Sequence, residues 1–264
     1  MNGDKQILSP ILYGIEMECV IPHSNYSFEV GGYRDRDSSC KVGKWYATSD
    51  SSIYSHGDMG VEFVSQPLEE TQIKGALKQL QKEIPQCPEF NDSTGCHVHV
   101  SCKDSALLDA CKGDQDKTAQ FFETFNRTLF PAVKQVLGEE RYVLWRGRYY
   151  RSYAREFRRN SSERYQALNL NSSTRKTVEF RGFHLYQVKT WDEVESMLNA
   201  FVKAFNSTLA KYSTWEVASK RNVPIVQWEV REFEDRIVIP SRERNTIKVS
   251  TIERKENKPC VISI

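Results

Sequence analysis

The sequence predicts an α+β fold in which helices pack on one side of a curved, mainly antiparallel sheet. Three observations carry that expectation. Strand-like segments outnumber helical ones, they arrive in neighbouring pairs, and three apolar stripes at helical spacing lie between or after them. Residues 11–20, 60–65, 95–102, 164–170 and 176–183 alternate in polarity or are rich in β-branched and aromatic residues, and Gly, Pro, Asn or Ser bounds each one. The segments 164–170 and 176–183 flank Asn-Ser-Ser-Thr-Arg-Lys and read as an antiparallel hairpin.

The first helical stripe is Ile73, Ala76, Leu77, Leu80 and Ile84, closed by Pro85, whose ring cannot continue a helix. The second is Phe122, Phe125, Leu129, Val133 and Val136. The third begins at Thr190 and Glu193, spaced as a capping box, and runs through Val194, Met197, Leu198, Phe201, Val202, Phe205 and Leu209 on one face. All three stripes predict core contacts rather than cofactor contacts. Residues 1–221 read as the main domain. Residues 222–264 are charged, carry short β-like runs at 236–239 and 247–252 and no helical stripe, and read as an appendage.

A chain of 264 residues with 39% apolar content and 13 Phe, 12 Tyr and 5 Trp can bury a sizeable core. Its 37 basic and 35 acidic residues nearly cancel, so the overall field selects neither nucleic acid nor membrane as partner. The N-terminal stretch lacks the pattern of a secretory signal, and no apolar run approaches membrane-spanning length. A cytoplasmic location is the expectation. The seven cysteines are an odd number without a CxxC pair, which fits reduced thiols better than a disulfide framework or a zinc finger.

Chemistry enters through three i, i+2 pairs in strand-like segments: Glu16 and Glu18, His97 and His99, Glu179 and Arg181. Alternate side chains of a strand share a face, so three such strands in one sheet would gather carboxylates, imidazoles and a guanidinium on one surface. A single polar pair more often faces solvent. Six positions holding only residues that ligate metals or grip phosphate favour a site. Asp50, in a turn-rich stretch, taken alone reads more often as an Asx-turn or capping residue than as a ligand. Glu62, flanked by Val61 and Phe63, reads as a buried carboxylate that a cation would satisfy. Five carboxylates and one imidazole form a hard, oxygen-rich donor set suited to Mg²⁺ or Mn²⁺, and neither a P-loop nor a Rossmann glycine motif is present. Between 146 and 164 seven arginines interleave with Tyr149, Tyr150, Tyr153 and Phe157, a pattern open to single-stranded nucleic acid, to a triphosphate or acidic substrate, or to a solvated helix face.

In order, Gly-Ile-Glu-Met-Glu, Asp-Ser-Ser-Ile, Gly-Val-Glu-Phe-Val-Ser-Gln-Pro-Leu, Gly-Cys-His-Val-His-Val-Ser, Arg-Tyr-Gln-Ala-Leu-Asn-Leu and Thr-Val-Glu-Phe-Arg-Gly-Phe resemble the amidoligase family, a carboxylate-amine ligase branch of the glutamine synthetase and glutamate–cysteine ligase superfamily. The resemblance runs from about residue 11 to about residue 185. It implies a glutamine synthetase-like catalytic domain and ATP-dependent joining of a carboxylate, on a small molecule or peptide, to an amine through an acyl phosphate. It also implies two metal ions, each bound with help from Glu16 or Glu18. Asp50 and Glu62 would complete the first site, His97 and Glu179 the second. His99 would face the phosphates of ATP, and Arg181, with Arg164 and Arg175, would stabilise the transferring phosphoryl group. Residues 147–160 would close over the site as a flap. Only about ten residues precede the first strand, so the site is expected to close within one subunit or with help from the appendage; the oligomeric state stays open. The competing readings are a phosphagen kinase-like phosphotransferase, a metal-dependent hydrolase, and a non-catalytic module binding single-stranded nucleic acid through 146–164.

Overall fold

A computed structural model describes residues 11–33, 36–101, 115–150, 165–169, 177–219, 231–233, 236–243 and 246–253. The chain divides into two compact units, Met1–Ser213 and Thr214–Ile264. The first unit is α+β. Its strands are β1 (Leu12–Ile21), β2 (Lys41–Val42), β3 (Trp45–Thr48), β4 (Met59–Ser65), β5 (Cys96–Ser101), β6 (Leu168–Asn169) and β7 (Val178–Phe180). They form one open, curved sheet in the order β2-β3-β4-β1-β5-β7-β6, and all six strand pairings are antiparallel.

Register sorts the side chains into two faces. Ala47, Phe63, Met17 and Cys96 lie in one transverse row, and Val98, Phe180 and Leu168 in another. All seven are buried. Among the described residues four α-helices accompany this sheet: α1 (Glu70–Glu83), α2 (Gln115–Leu137), α3 (Glu139–Arg148) and α4 (Trp191–Ser219). Trp45, on the apolar face, donates its Nε1–H to the Ala76 carbonyl of α1 at 2.8 Å. Phe180 meets Phe125 of α2 at a ring-centroid distance of 4.7 Å and Phe201 of α4 at 5.1 Å. Tyr13 packs edge-on against Phe205. Full burial of each such ring contributes on the order of 2–3 kcal/mol, so this face holds the sheet to its helices.

The helical stripes fall where spacing puts them, with local differences. Helix α1 ends at Glu83 with Ile84 as its cap, just before Pro85. In α2 the stripe closes on buried Leu137, while Val136 is only half-buried. At the start of α4 the Thr190 hydroxyl accepts the Glu193 N–H at 3.2 Å, as a cap should. The Glu193 carboxylate does more than close a capping box: it accepts the Lys189 N–H and takes both terminal nitrogens of Arg141, tying α3 to α4.

Strand bounds are shorter than alternation suggests. Among the described residues of 164–170 only Leu168–Asn169 is strand, and among those of 176–183 only Val178–Phe180, paired antiparallel as expected. The connecting residues 170–176 lie outside the described residues, as does Cys102 of the 95–102 segment. The edge strand β2, its neighbour β3 and the helix α3 are additions that the sequence patterns did not indicate. In the second unit, β8 (Arg231–Phe233), β9 (Arg236–Glu243) and β10 (Thr246–Glu253) form an antiparallel meander, longer than the runs at 236–239 and 247–252. No helix among the described residues is long and apolar enough to cross a membrane.

Candidate functional site

The polar face of the sheet carries the site. Three transverse rows build it: Thr48, Glu62 and Glu18; then Val64, Glu16 and His97; then Gly14, His99, Glu179 and Asn169. Because β1 lies between β4 and β5, its two glutamates divide between neighbours. Glu18 joins Asp50 and Glu62, and Glu16 joins His97 and Glu179, each trio offering ligand atoms within 4.8 Å of one another. All six of these residues are buried or half-buried.

Each carboxylate is aimed by a specific contact. The Gly95 N–H donates to Glu18 Oε2 at 2.6 Å. A Cβ at Gly95 would lie 2.9 Å from His97 Nε2 and 3.2 Å from Glu18 Oε2, so any larger residue where the backbone passes between the two trios would displace these two ligand side chains. Thr48 Oγ1 donates to Glu62 Oε2 at 3.3 Å. Asp50 follows β3 in a turn and its Oδ1 accepts the Ser52 N–H at 2.7 Å, so it is an Asx-turn residue and a member of the first trio at once. In the second trio Asn169 donates to Glu179 Oε2 at 2.7 Å, while Arg181 Nη1 lies 2.5 Å from Glu179 Oε1. Glu16 Oε2 is 3.6 Å from His97 Nδ1, and Glu16 Oε1 is 3.3 Å from His99 Nε2. Thr177 Oγ1 lies 3.5 Å from His99 Nδ1.

The charge balance of the two trios differs. Burial, then the carboxylates of Glu16 and Glu18, push the Glu62 carboxyl up to about 7. Three carboxylates this close cannot all ionise comfortably without a cation. In the second trio burial opposes ionisation of Glu16, but the imidazoles of His97 and His99 outweigh it and hold the carboxyl well below its usual range. Burial likewise opposes the charge on His97, yet Glu16, with Glu18 and Glu179 beyond it, raises its pKa despite Arg181. The donor chemistry fits hard divalent ions: three carboxylates in one trio, two carboxylates and an imidazole in the other.

The sequence-predicted residues Glu16, Glu18, Asp50, Glu62, His97, His99, Glu179 and Arg181 all meet on this face. Arg164 and Arg175 lie outside the described residues, as do residues 151–160 of the expected flap. Arg181 sits just past β7, its Cζ 5.6 Å from the Tyr165 ring. Of the arginine-rich stretch, the described part is built into the fold. Arg146 is held over Phe130, with its Cζ 4.2 Å from the ring centroid, and beside Tyr149 and Tyr150. Tyr149 is fully buried, and Arg148 donates to two backbone carbonyls. Sequence patterns did not single out Thr48, Gly95 or Asn169. Only Gly95 left a signal, a glycine immediately before a strand of ligating residues. Comparison with known protein families finds none that matches the chain, and comparison with curated proteins finds none that matches it.

Proposed function

We propose that this chain is an ATP-dependent carboxylate–amine ligase with a glutamine synthetase-like catalytic domain. One observation carries the reading: two trios of ligating side chains stand side by side on one sheet face, with a guanidinium at their margin. Glu18, Asp50 and Glu62 would hold one divalent cation, and Glu16, His97 and Glu179 a second. Cations held there would neutralise the triphosphate and the charge spreading over the transferring phosphoryl group.

The chain's own residues supply positioning. The substrate carboxylate attacks the γ-phosphorus of ATP, ADP leaves, and the amine then displaces phosphate from the acyl phosphate to give an amide. Arg181 would place its planar fork on the phosphoryl oxygens, a geometry that a point charge cannot reproduce. Asn169 fixes one oxygen of Glu179, so that carboxylate keeps its aim. The wall behind the face is apolar and fully packed, which keeps water from reaching the acyl phosphate from that side.

The test is a screen of acidic amino acids and short acidic peptides, each with ammonia or amino-acid amines, for Mg²⁺-dependent ADP release and for product mass. ADP release that depends on both acid and amine, with a product lighter than their sum by one water, is expected. A phosphorylated guanidine as product would move the reading to a phosphotransferase, and failure of ATP to bind would end it.

A further inference from the structure

We infer that Arg148 is a positioning residue for the first cation site. The inference rests on the reading that Glu18, Asp50 and Glu62 hold a cation, and it adds what keeps two of those three in place.

Arg148 ends α3, a helix anchored by buried Trp145, whose indole N–H donates to the His184 carbonyl at 2.8 Å. Its guanidinium lies along the Tyr186 ring at 5.2 Å, and its two terminal nitrogens donate to the Asn91 carbonyl at 2.7 Å and the Thr94 carbonyl at 3.0 Å. A planar fork on two carbonyls three residues apart fixes the path of the loop between them. That loop reaches the site in two directions. At its end, the Gly95 N–H holds Glu18 Oε2 and the Gly95 carbonyl accepts the Glu18 N–H at 3.0 Å. At its start, Asn91 Nδ2 donates to the Tyr54 carbonyl and Ser93 Oγ accepts the Tyr54 N–H, both at 2.8 Å. Tyr54 closes the turn that begins at Asp50, whose carbonyl and carboxylate accept the N–H groups of Ile53 and Ser52. One loop therefore sets both Glu18 and the Asp50 turn. The second trio depends instead on register among β1, β5 and β7.

Charge and position predict opposite outcomes. Removing a positive side chain near a cation site strengthens cation binding if Coulomb attraction is all that changes. Loss of an outer support that aims ligands weakens it, by roughly 10- to 100-fold.

Mn²⁺ titration of the full chain by calorimetry, with thermal melts to check folding, separates these. The unmodified chain should bind two Mn²⁺. If it binds none, the proposed function fails and this inference with it. Glu179→Gln isolates the first site and Glu62→Gln the second. Arg148→Met in the Glu179→Gln background should weaken Mn²⁺ binding by at least about 10-fold, and in the Glu62→Gln background should leave it unchanged. Arg148→Lys should also fail to restore the first site. Unchanged or tighter binding at the first site, or equal loss at both, overturns the role of Arg148 while the two-cation reading stands. Should Arg148→Met not fold, Ser93→Ala decides: weaker first-site binding supports the loop's role, and unchanged binding overturns it.

Discussion

Glu18 and Glu62 stand directly opposite one another on neighbouring antiparallel strands, both more than nine-tenths buried, with their carboxyl groups on the same face. Like charges across a strand pair are destabilising, and burial removes the water that would screen them. The pairing makes sense as a cation seat, and it fixes how the chain responds to pH without one.

Glu62 carries a folded pKa of about 7 against an ordinary 4.5. Its protonated form is fully retained below about pH 4.5, and stability from this group is lost as pH rises towards 7. Glu62→Gln removes that loss. In chelator, the variant should match the parent near pH 4.5 and exceed it by up to about 3 kcal/mol above pH 7. With Mn²⁺ present the order should reverse. Urea melts across this pH range, with and without metal, check both signs.

Arg181 lies against Glu179 Oε1 and over Tyr165. Arg181→Lys should leave Mn²⁺ stoichiometry and ATP binding intact while lowering amide formation roughly 100-fold, since charge is kept but the fork is lost. Glu179→Gln should remove one Mn²⁺ and activity together. Steady-state rates set beside metal titrations distinguish the two patterns.

Gly95 threads between the trios. Gly95→Ala places a methyl against His97 Nε2 and Glu18 Oε2, both at the ends of side chains, so the ligands shift more easily than the backbone. Weaker Mn²⁺ binding at both sites with little change in melting temperature is expected, in contrast to the single-site loss at Arg148.

Phe180 points away from the site, between Glu179 and Arg181, into rings from α2 and α4. Phe180→Ala should cost roughly 3–5 kcal/mol of stability through the cavity it leaves. Denaturant titration should record a lower midpoint.

The sequence was most legible where chemistry follows a local period. Alternation along a strand is enough to put Glu16 beside Glu18 on one face and His97 beside His99, because successive side chains point to opposite sides. The helical stripes of α1, α2 and α4 were legible for the same reason, each being one face of a 3.6-residue repeat. The short strands β2 and β3, of two and four residues, were too brief for any period to register. Helix α3 buries only Trp145, so in the sequence its last residues merged into an arginine-rich run for which a solvated helix face was one of several readings.

By itself the sequence determined the fold class, the apolar faces and which residue types could ligate a cation, all properties of neighbours along the chain. Only the tertiary structure decided that Glu18 goes with Asp50 and Glu62 while Glu16 goes with His97 and Glu179. That division is a matter of register between strands distant in sequence, and of one loop clamped from α3. Hydrogen bonds between remote segments set it, and no local pattern encodes them.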